Sequence, residues 1–452
     1  MSGSPAEVIG ALATPFGESA LAVIRVSGPD LRPLIEAVHR RVLKPRQATF
    51  VPLYDSGGEV IDEVVALYFP GPRSYTGEDV WEISCHGNPL IAQKILSSLH
   101  HRGVRAAEPG EFTRRAFFNG KMDLSQAEAV IDLIRARSDR ALEAAAHQIK
   151  GVLGDRIRNF VDRLLQVLAE LEAYIDFPEE DLPPEDQAGP THRLHQLIED
   201  ISRLAATSRY GALLRDGVRV ALIGAPNAGK SSLLNLFLSR ERALVSDIPG
   251  TTRDFLEEKI TLGKHAIRLL DTAGLHASND PIEQAGMRKT VEELSTADIC
   301  LWVIDQAQPN LALPPEAGAL IEGRKTFVLL NKADLPSPSE AALPSFSHPL
   351  YRLSAKTGDG FRSLVQAIEA LIEEENPGHQ RDWIAVSHRH AEALQEAQSA
   401  LNQALQLLRD EAPVELAVSE CRGAIEALSR IIGKIDNEEM LDRLFASFCI
   451  GK

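Results

Sequence analysis

Residues 224–231 read Gly224-Ala-Pro-Asn-Ala-Gly229-Lys230-Ser231, and they lie between a strand-like run at 218–223 and a helical pattern that begins at Leu233. Strand, glycine-rich loop and helix in this order are typical of a phosphate-binding loop, in which glycines let backbone N–H groups curl around an anion. In such a loop Lys230 reaches the terminal phosphates, and the Ser231 hydroxyl is a ligand for Mg²⁺. The stretch therefore predicts a nucleotide-binding domain of the P-loop class.

The sequence that follows this loop alternates between strand-like and helical patterns. Strand-like runs recur at 267–270, 299–304 and 327–330, and each is followed by a loop and a helical pattern. Because this alternation is typical of parallel strands connected by helices, it predicts a mostly parallel sheet covered on both faces. We expect this α/β domain to span residues 217–375.

Two motifs are placed to contact the metal ion and the γ-phosphate. Asp271-Thr-Ala-Gly274 follows a strand, so its carboxylate can hold Mg²⁺ through water and its glycine N–H can sense the γ-phosphate. Gly250-Thr251-Thr252-Arg253-Asp254 lies between that motif and the phosphate-binding loop, where a threonine hydroxyl can complete the magnesium shell. Both motifs are predicted to contact the nucleotide.

Two further motifs predict selection of guanine. Asn331-Lys-Ala-Asp334 ends a strand, and its aspartate can accept two hydrogen bonds from guanine N1 and N2, which adenine cannot supply. Ser354-Ala-Lys356 has the position of the loop that backs the guanine ring. The motifs in this order predict GTP as the ligand. The residues predicted to contact it are Asn227, Ala228, Gly229, Lys230, Ser231, Ser232, Ser246, Asp247, Ile248, Pro249, Gly250, Thr251, Thr252, Asp271, Thr272, Ala273, Gly274, Asn331, Lys332, Ala333, Asp334, Ser354, Ala355 and Lys356.

The residue that would orient the attacking water is missing from its usual place. Ras-like GTPases use a glutamine directly after the Asp-x-x-Gly motif, but this chain has Leu275, which offers no polar group. The nearest plausible carboxylate downstream is Glu283. The residues alone leave open whether Glu283 acts on water or is a solvated charge.

The regions on either side of the α/β domain differ in character. Residues 1–121 mix β-type runs, at 21–26 and 64–69, with turn signals, which predicts a separate α+β domain. Residues 122–216 and 376–452 read as helices, and we expect them to form one discontinuous all-α domain into which the Ras-like P-loop domain is inserted. One predicted helix carries an apolar stripe at alternating spacings of three and four, formed by Leu153, Ile157, Val161, Leu164, Leu168, Leu171 and Ile175.

Composition narrows the possible functions. A formal charge of −16 argues against non-specific coating of nucleic acid, although the basic stretch 100–121 could be a solvated surface or a face for an anionic partner. The four cysteines are scattered, which disfavours a zinc site or a disulfide framework and fits a reducing cytoplasm. With no long apolar run and no signal-peptide layout, we expect a cytoplasmic protein that does not enter the membrane.

Several motifs outside the P-loop point to one family. They are Asp247-Ile-Pro-Gly-Thr-Thr-Arg-Asp254, Phe69-Pro-Gly-Pro with Tyr75-Thr-Gly-Glu-Asp-Val80, Pro109-Gly-Glu-Phe-Thr-Arg-Arg-Ala-Phe117 with Gly120-Lys-Met-Asp-Leu124, and the terminal Phe448-Cys-Ile-Gly-Lys452. With them the chain resembles, over its whole length, the MnmE (TrmE) family of bacterial tRNA modification GTPases.

The resemblance implies a function that the spacing of motifs does not provide. Members of this family are homodimers that act with a flavin-dependent partner, MnmG (GidA), in a heterotetramer or larger complex. Together they add an aminomethyl or carboxymethylaminomethyl group at C5 of the wobble uridine of certain tRNAs. A tetrahydrofolate derivative (5-formyl or 5,10-methylene) in the N-terminal domain supplies the one-carbon unit. The matching positions for folate contacts are Arg25, Glu82, Lys121 and Lys452, which fits a ligand whose glutamate tail needs cations and whose pterin needs a carboxylate.

The resemblance also implies how hydrolysis is catalysed. In the family the G domains pair across the dimer in the GTP state, and K⁺ replaces the arginine finger. The matching potassium ligands are Asn227, Ser246, Ile248 and Thr251, the magnesium ligands are Ser231 and Thr252, and Glu283 matches the water-activating glutamate. For Cys449, near the folate pocket, we expect a buried structural thiol.

Two other functions remain in competition with this one. A ribosome-assembly or signalling GTPase could have nearly the same G domain, although it would more often carry a basic RNA-binding module. A folate enzyme with a regulatory GTPase would differ only in substrate.

Overall fold

The computed structural model of the protein describes most of the chain. The described residues are 7–176, 184–240, 242–243, 257–271, 295–311, 313, 318, 321, 323–336, 346–375, 386–433, 438–446 and 448–451. Within them the chain forms two compact units. Unit 1 comprises Met1–Ile131, Ile149–Leu165 and Ile425–Lys452, and unit 2 comprises Asp132–Gln148 and Gln166–Ala424.

The strands and helices follow the predicted order of domains. The strands are β1 (Ile9–Leu12), β2 (Leu21–Gly28), β3 (Thr49–Tyr54), β4 (Val60–Phe69), β5 (Asp79–His86), β6 (Arg105–Ala106), β7 (Val218–Ile223), β8 (Arg242–Ala243), β9 (Glu257–Leu262), β10 (His265–Asp271), β11 (Ile299–Asp305), β12 (Lys325–Asn331) and β13 (Leu350–Arg352). The helices are α1 (Arg32–His39), α2 (Pro89–His100), α3 (Glu111–Phe118), α4 (Leu124–Arg135), α5 (Asp139–Ile149), α6 (Val152–Asp176), α7 (Pro184–Ala206), α8 (Ser208–Asp216), α9 (Lys230–Arg240), α10 (Phe361–Glu374), α11 (His388–Arg409), α12 (Val414–Ile432) and α13 (Glu438–Ala446). Of the described helices, none combines the length and the apolar composition needed to cross a membrane.

Unit 1 is built on a six-stranded sheet in the order β3-β4-β5-β2-β1-β6. Neighbouring strands are antiparallel, except that β6 runs parallel to β1. Side chains alternate between the two faces of a strand, so Ile24 and Ile83 are buried in the core with Ile95 of α2. The same alternation places Arg25 and Glu82 on the opposite face, directly across from each other on β2 and β5.

A buried aspartate fixes the loop between β4 and β5. Asp79 accepts hydrogen bonds from the Tyr68 hydroxyl at 2.7 Å, from the Gly71 N–H at 2.9 Å and from the Leu31 N–H at 3.2 Å. Burial, together with the bond to Asp79, raises the pKa of Tyr68 well above its usual value, so the phenol remains a donor. Asp79 therefore holds together a strand, a loop and the start of α1.

Unit 2 contains the predicted α/β domain, and its seven-stranded sheet has the order β13-β12-β11-β7-β10-β9-β8. The strands from β13 to β10 are parallel neighbours, and β9 and β8 extend the sheet antiparallel. The strand-like runs predicted at 218–223, 267–270, 299–304 and 327–330 are confirmed as β7, β10, β11 and β12. Because these strands are parallel, their carboxyl ends meet at one edge of the sheet and bring their loops together.

Helical segments that precede the P-loop share the core of this sheet. Ala141 and Ala144 of α5 and Leu214 of α8 are buried in one cluster with Leu262 and Ile267 of the sheet. Helix α6 carries the predicted apolar stripe. Its fully buried members are Leu153, Ile157, Leu164, Leu168 and Leu171.

The contacts of Asp79 generate a stability prediction. We expect Asp79→Ala to lower the free energy of opening of β4 and β5 by roughly 2–5 kcal/mol, because it leaves buried donors without an acceptor. Native-state hydrogen exchange of residues 60–86 measures this locally, which suits a chain of more than one unit.

The matched control is Asp30→Ala, since Asp30 is exposed and its bonds within the described residues are to Arg32, in its own turn. It should leave exchange in this sheet almost unchanged. Equal effects of the two substitutions would contradict the role of Asp79.

Candidate functional site

The phosphate-binding loop follows β7 and is shaped by residues in the left-handed backbone region. Asn227 has φ 63° and Gly229 has φ 97°. A side chain at Gly224 would overlap the carbonyl of Val303, so the loop lies directly against β11. Helix α9 begins immediately afterwards at Lys230, which points its N-terminal N–H groups into the loop. This arrangement can bind a phosphate.

The lysine of this loop is buried and tied to the loop itself. The Lys230 ammonium donates to the carbonyl oxygens of Gly224 at 2.8 Å and Ala225 at 3.1 Å. A cation is thereby held beside the N-terminus of α9, where the two positive contributions add. The hydroxyl-bearing Ser231 and Ser232 occupy the first turn of the same helix.

Asn331 joins the phosphate-binding loop to the predicted base-binding loop. Its side chain is 1% exposed, and the amide donates to the carbonyl of Ala228 at 2.9 Å. The Asn331 side-chain oxygen accepts from the Ala355 N–H at 2.9 Å. A side chain at Gly229 would overlap the Asn331 amide nitrogen, so the two loops are in close contact.

The carboxylate predicted to bind guanine is held ionised at the mouth of this region. The Ser354 hydroxyl donates to Asp334 at 2.6 Å and accepts from the Thr357 N–H at 3.2 Å. The bond from Ser354, aided by the charges of Lys356 and Lys332, holds the pKa of Asp334 below its ordinary value. Asp334 is exposed and ionised, as an acceptor for two base N–H groups must be.

A second carboxylate, absent from the predicted site, fixes the same loop. Asp305 at the end of β11 contacts the Lys332 ammonium at 2.6 Å, and it accepts from the Ala307 N–H at 2.9 Å. Burial alone would raise the pKa of Asp305, but the hydrogen bonds from Lys332 and the backbone lower it below its usual value. The sequence signal that could have identified Asp305 is its position at the end of β11, the strand next to β12, which ends in the Asn331 motif.

The described residues assemble part of the predicted GTP site. Residues 227–232, 331–334 and 354–356 lie at the carboxyl edge of the sheet, where the backbone of Asp271 also ends β10. The remaining predicted contacts lie outside the described residues and stay predictions. They are Ser246, Asp247, Ile248, Pro249, Gly250, Thr251, Thr252, Thr272, Ala273, Gly274 and the candidate catalytic residue Glu283.

Unit 1 brings together two of the predicted folate contacts. Arg25 pairs with Glu82 through Nε at 3.0 Å and Nη2 at 2.9 Å. The guanidinium lies 5.2 Å from the ring centre of Tyr75 and 5.8 Å from that of Phe112. These two aromatic residues were not predicted as site residues, although both stand in motifs that carried the family resemblance.

The C-terminal tail reaches the same place. Arg25 Nη1 donates to the Gly451 carbonyl at 3.4 Å across 426 positions of sequence. Gly451 has φ 95°, and a side chain there would overlap the carbonyl of Leu12, so the tail lies against β1. Lys121 is exposed and donates to the Pro72 carbonyl at 3.0 Å, and Lys452 lies outside the described residues.

A chain of ion pairs links the elements around Arg25 and Tyr75, which we call the Arg25 cleft. Arg115 pairs with Glu78 at 3.0 Å and with Glu111 at 3.0 Å, and Arg105 donates to Glu111 at 3.1 Å. Burial opposes ionisation of Glu111, yet the two arginines lower its pKa below the ordinary value. The network connects the Tyr75 loop to α3. Its arginines belong to the basic stretch 100–121, for which the sequence left open a solvated surface or a face for an anionic partner.

The expectation for Cys449 was wrong. Its side chain is exposed, not buried. Its carbonyl accepts from the Gly110 N–H at 3.4 Å, so the backbone of the tail is held at this position. Cys449 therefore has no structural role as a packed thiol.

Comparisons with known proteins agree over the whole chain. Residues 8–121 match the family described as GTP-binding protein TrmE N-terminus, and residues 124–449 match the MnmE helical domain. The tRNA modification GTPase MnmE of Opitutus terrae is 49% identical over 448 residues, which cover 99% of each chain. That of Akkermansia muciniphila is 43% identical over 454 residues, again 99% of each. That of Nitrosococcus oceani is 41% identical over 450 residues, which cover 99% of this chain and 97% of the relative.

The P-loop, the carboxylate predicted to bind guanine and these matches lead to one conclusion. The chain belongs to the MnmE (TrmE) family of tRNA modification GTPases.

Proposed function

We propose that this protein uses GTP hydrolysis to modify tRNA, adding a carboxymethylaminomethyl or aminomethyl group at C5 of the wobble uridine. A flavin-dependent partner of the MnmG (GidA) type would act with it in the cytoplasm, in a heterotetramer or larger complex. The observation that carries the proposal is the Asn331 link. Asn331 bonds to Ala228 of the phosphate-binding loop and to Ala355, beside the Ser354 that donates to the ionised Asp334. The relatives named above are tRNA modification GTPases, which supports tRNA as the substrate.

The site supports selection of GTP over ATP for a physical reason. An ionised carboxylate accepts the N1–H and N2–H₂ donors of guanine, whereas adenine presents an acceptor at N1 and no amino group at C2. Placing adenine against Asp334 would leave the charge without its partners, which is costly in a base-binding slot. Ser354 keeps the carboxylate in position by donating to one of its oxygens.

Hydrolysis would use residues from inside and outside the described part of the chain. Ser231 on the first turn of α9 and Thr252 would hold Mg²⁺, and Glu283 would orient and activate the attacking water. Asn227, Ser246, Ile248 and Thr251 would hold K⁺, which supplies the positive charge that an arginine finger gives other GTPases. The exposed position of Asn227 in the left-handed region of the loop supports its place in that set. Pairing of G domains across the dimer would complete the site.

The cleft at Arg25 supports binding of a tetrahydrofolate derivative. Glu82 would pair with pterin N–H groups, while Arg25 fixes the carboxylate and Tyr75 and Phe112 supply apolar walls. Lys121 and Lys452 would meet the negative glutamate tail of the folate. When bound, the folate would supply the one-carbon unit.

The open face of the same sheet supports homodimerisation. Phe50 and Val65 are direct neighbours across β3 and β4, and they are 64% and 41% exposed. An apolar pair on the sheet face that also carries Arg25 and Glu82 is suited to cover by a second copy of the chain.

The experiment that tests the whole proposal is nucleoside mass spectrometry of tRNA from a strain that lacks the gene. We expect the wobble 5-aminomethyl-type group to disappear and the wild-type gene to restore it. Glu283→Ala should not restore modification, because the attacking water is no longer activated. Arg25→Ala should not restore it either, because Glu82, which would bind the pterin, loses the cation that positions it. Arg32→Ala, at an exposed arginine whose ion pair in the described part of unit 1 is with Asp30, should restore modification fully.

The outcomes separate the parts of the proposal. Unchanged tRNA in the deletion strain would leave a GTPase with another client. Restoration by Arg25→Ala, with failure of Glu283→Ala, would remove the folate role and keep the need for GTP hydrolysis.

Asp334→Asn tests the assignment of the base-binding carboxylate. The amide can accept one hydrogen bond but presents a donor to guanine N2, so GTP affinity should fall about 100-fold and xanthosine triphosphate should bind better. Competition against a fluorescent guanine nucleotide measures both. The control is Asp359→Asn, at an exposed aspartate that lies in the loop after β13 and accepts from Thr357. Retention of GTP preference by Asp334→Asn would refute the assignment.

The potassium set generates a simple kinetic prediction. GTP turnover should be at least about tenfold faster in KCl than in NaCl at equal ionic strength, because only K⁺ fits the site that supplies the missing positive charge. In Asn227→Ala the difference between the two salts should disappear. Equal rates for the wild type would remove the potassium mechanism and leave the GTP site intact.

A further inference from the structure

The β9–β10 hairpin of unit 2 lies between two nucleotide motifs in the sequence. In sequence, Gly250-Thr-Thr-Arg-Asp254 precedes β9, and Asp271-Thr-Ala-Gly274 begins at the last residue of β10. The hairpin therefore connects the two motifs that are predicted to respond to the γ-phosphate. Its turn, Gly263-Lys264, lies at the end of the hairpin away from these motifs, because β10 is paired in continuous register with β9.

Three side chains, which we call the hairpin clasp, hold this turn: Arg140, His265 and Glu373. Arg140 of α5 contacts the Glu373 carboxylate of α10 at 3.0 Å through both Nε and Nη2. His265, the first residue of β10, is 3% exposed and contacts the same carboxylate oxygen at 3.2 Å. The Arg140 N–H also donates to the Lys264 carbonyl at 3.3 Å.

The charges and hydrogen bonds of the clasp fix the positions of its three side chains. Burial lowers the pKa of His265, although the charge of Glu373 opposes this, so the ring is neutral at neutral pH and donates from Nε2. The charge of Glu373 is then balanced by Arg140. Gly263 has φ 56°, and a side chain there would overlap the carboxylate of Glu369, so α10 lies directly against the turn.

Helix α5 packs against the sheet of unit 2. Its buried Ala141 and Ala144 share a core cluster with Leu262 and Ile267 of the hairpin. Along the chain, the transition between units falls at 131/132 before the helix and at 148/149 at its end.

We propose that the hairpin clasp couples the nucleotide state of the G domain to helix α5. A hairpin that responds to the γ-phosphate must either carry α5 with it or break the half-buried contact between Arg140 and Glu373. Because the clasp joins the strand, α10 and α5 through one carboxylate, it makes these elements change together. Arg140 is a positioning residue in this account, since it acts at a distance from the nucleotide. The inference rests on the GTPase activity alone and needs neither folate nor tRNA.

Hydrogen–deuterium exchange of the full-length protein tests this coupling. The wild type is compared with GDP and with a non-hydrolysable GTP analogue at saturation. We expect exchange in residues 139–149 to differ about fivefold or more between the two states. In Arg140→Ala this difference should vanish, while residues 224–240 still gain protection from nucleotide. Equal exchange of 139–149 in both states of the wild type would overturn the proposal.

Glu143→Gln is the matched control for Arg140→Ala. Glu143 contacts Arg140 at 3.1 Å but belongs to α5 itself, so its loss should leave the nucleotide-dependent difference in place. Glu373→Gln removes the clasp charge on α10 and should abolish the difference, as Arg140→Ala does. If Arg140→Ala is poorly folded, Glu373→Gln tests the coupling in its place. Persistence of the full difference in Glu373→Gln would overturn the coupling role, and loss of the difference in Glu143→Gln would reduce it to general destabilisation of α5.

Discussion

The carboxamide of Asn331 is the interaction on which the nucleotide site depends. The sheet order places β11 between β7 and β12, so the phosphate-binding loop and the base-binding loop start from strands that are not neighbours. A buried side chain that donates to Ala228 and accepts from Ala355 joins them across this gap. Since water does not reach this amide, loss of either contact would leave a buried polar group unpaired, at about 1–3 kcal/mol. The loops predicted to bind the phosphates and the base are consequently joined through one buried side chain.

The fold could be predicted where burial on both faces produced continuous apolar runs. β7 was predicted with its observed bounds, because both faces of a central parallel strand are covered. β9 was not predicted, because Glu257-Glu-Lys-Ile-Thr-Leu262 has no continuous apolar run and its buried residues are Ile260 and Leu262. Helix α5 was predicted as helix but not as part of the G-domain core. Its buried residues are alanines, and a small apolar face does not indicate what it packs against.

The site could be predicted where a motif is local in sequence. The phosphate-binding loop and Asn331-Lys-Ala-Asp334 gave their residues directly, but Asp305 acts through a strand pairing that no local pattern records. The contact between Arg25 and Gly451 joins opposite ends of the chain, so only the resemblance to a family suggested it. The prediction that Cys449 is buried was wrong for a related reason. The backbone of the tail is what bonds to Gly110, elsewhere in unit 1, and the thiol is exposed.

The charge of the chain explains why both sites rely on short contacts. A net charge of −16 repels anionic ligands such as GTP at long range, so overall electrostatic steering does not favour their capture. The protein compensates with cations fixed at defined positions, such as Lys230 at the start of α9 and Arg25 between aromatic rings. Backbone N–H groups at a helix N-terminus add attraction that acts only within a few ångströms. Contacts of this range require loops held at fixed positions. Asn331 holds the loops in one unit, and the Glu78–Arg115–Glu111 ion pairs hold them in the other.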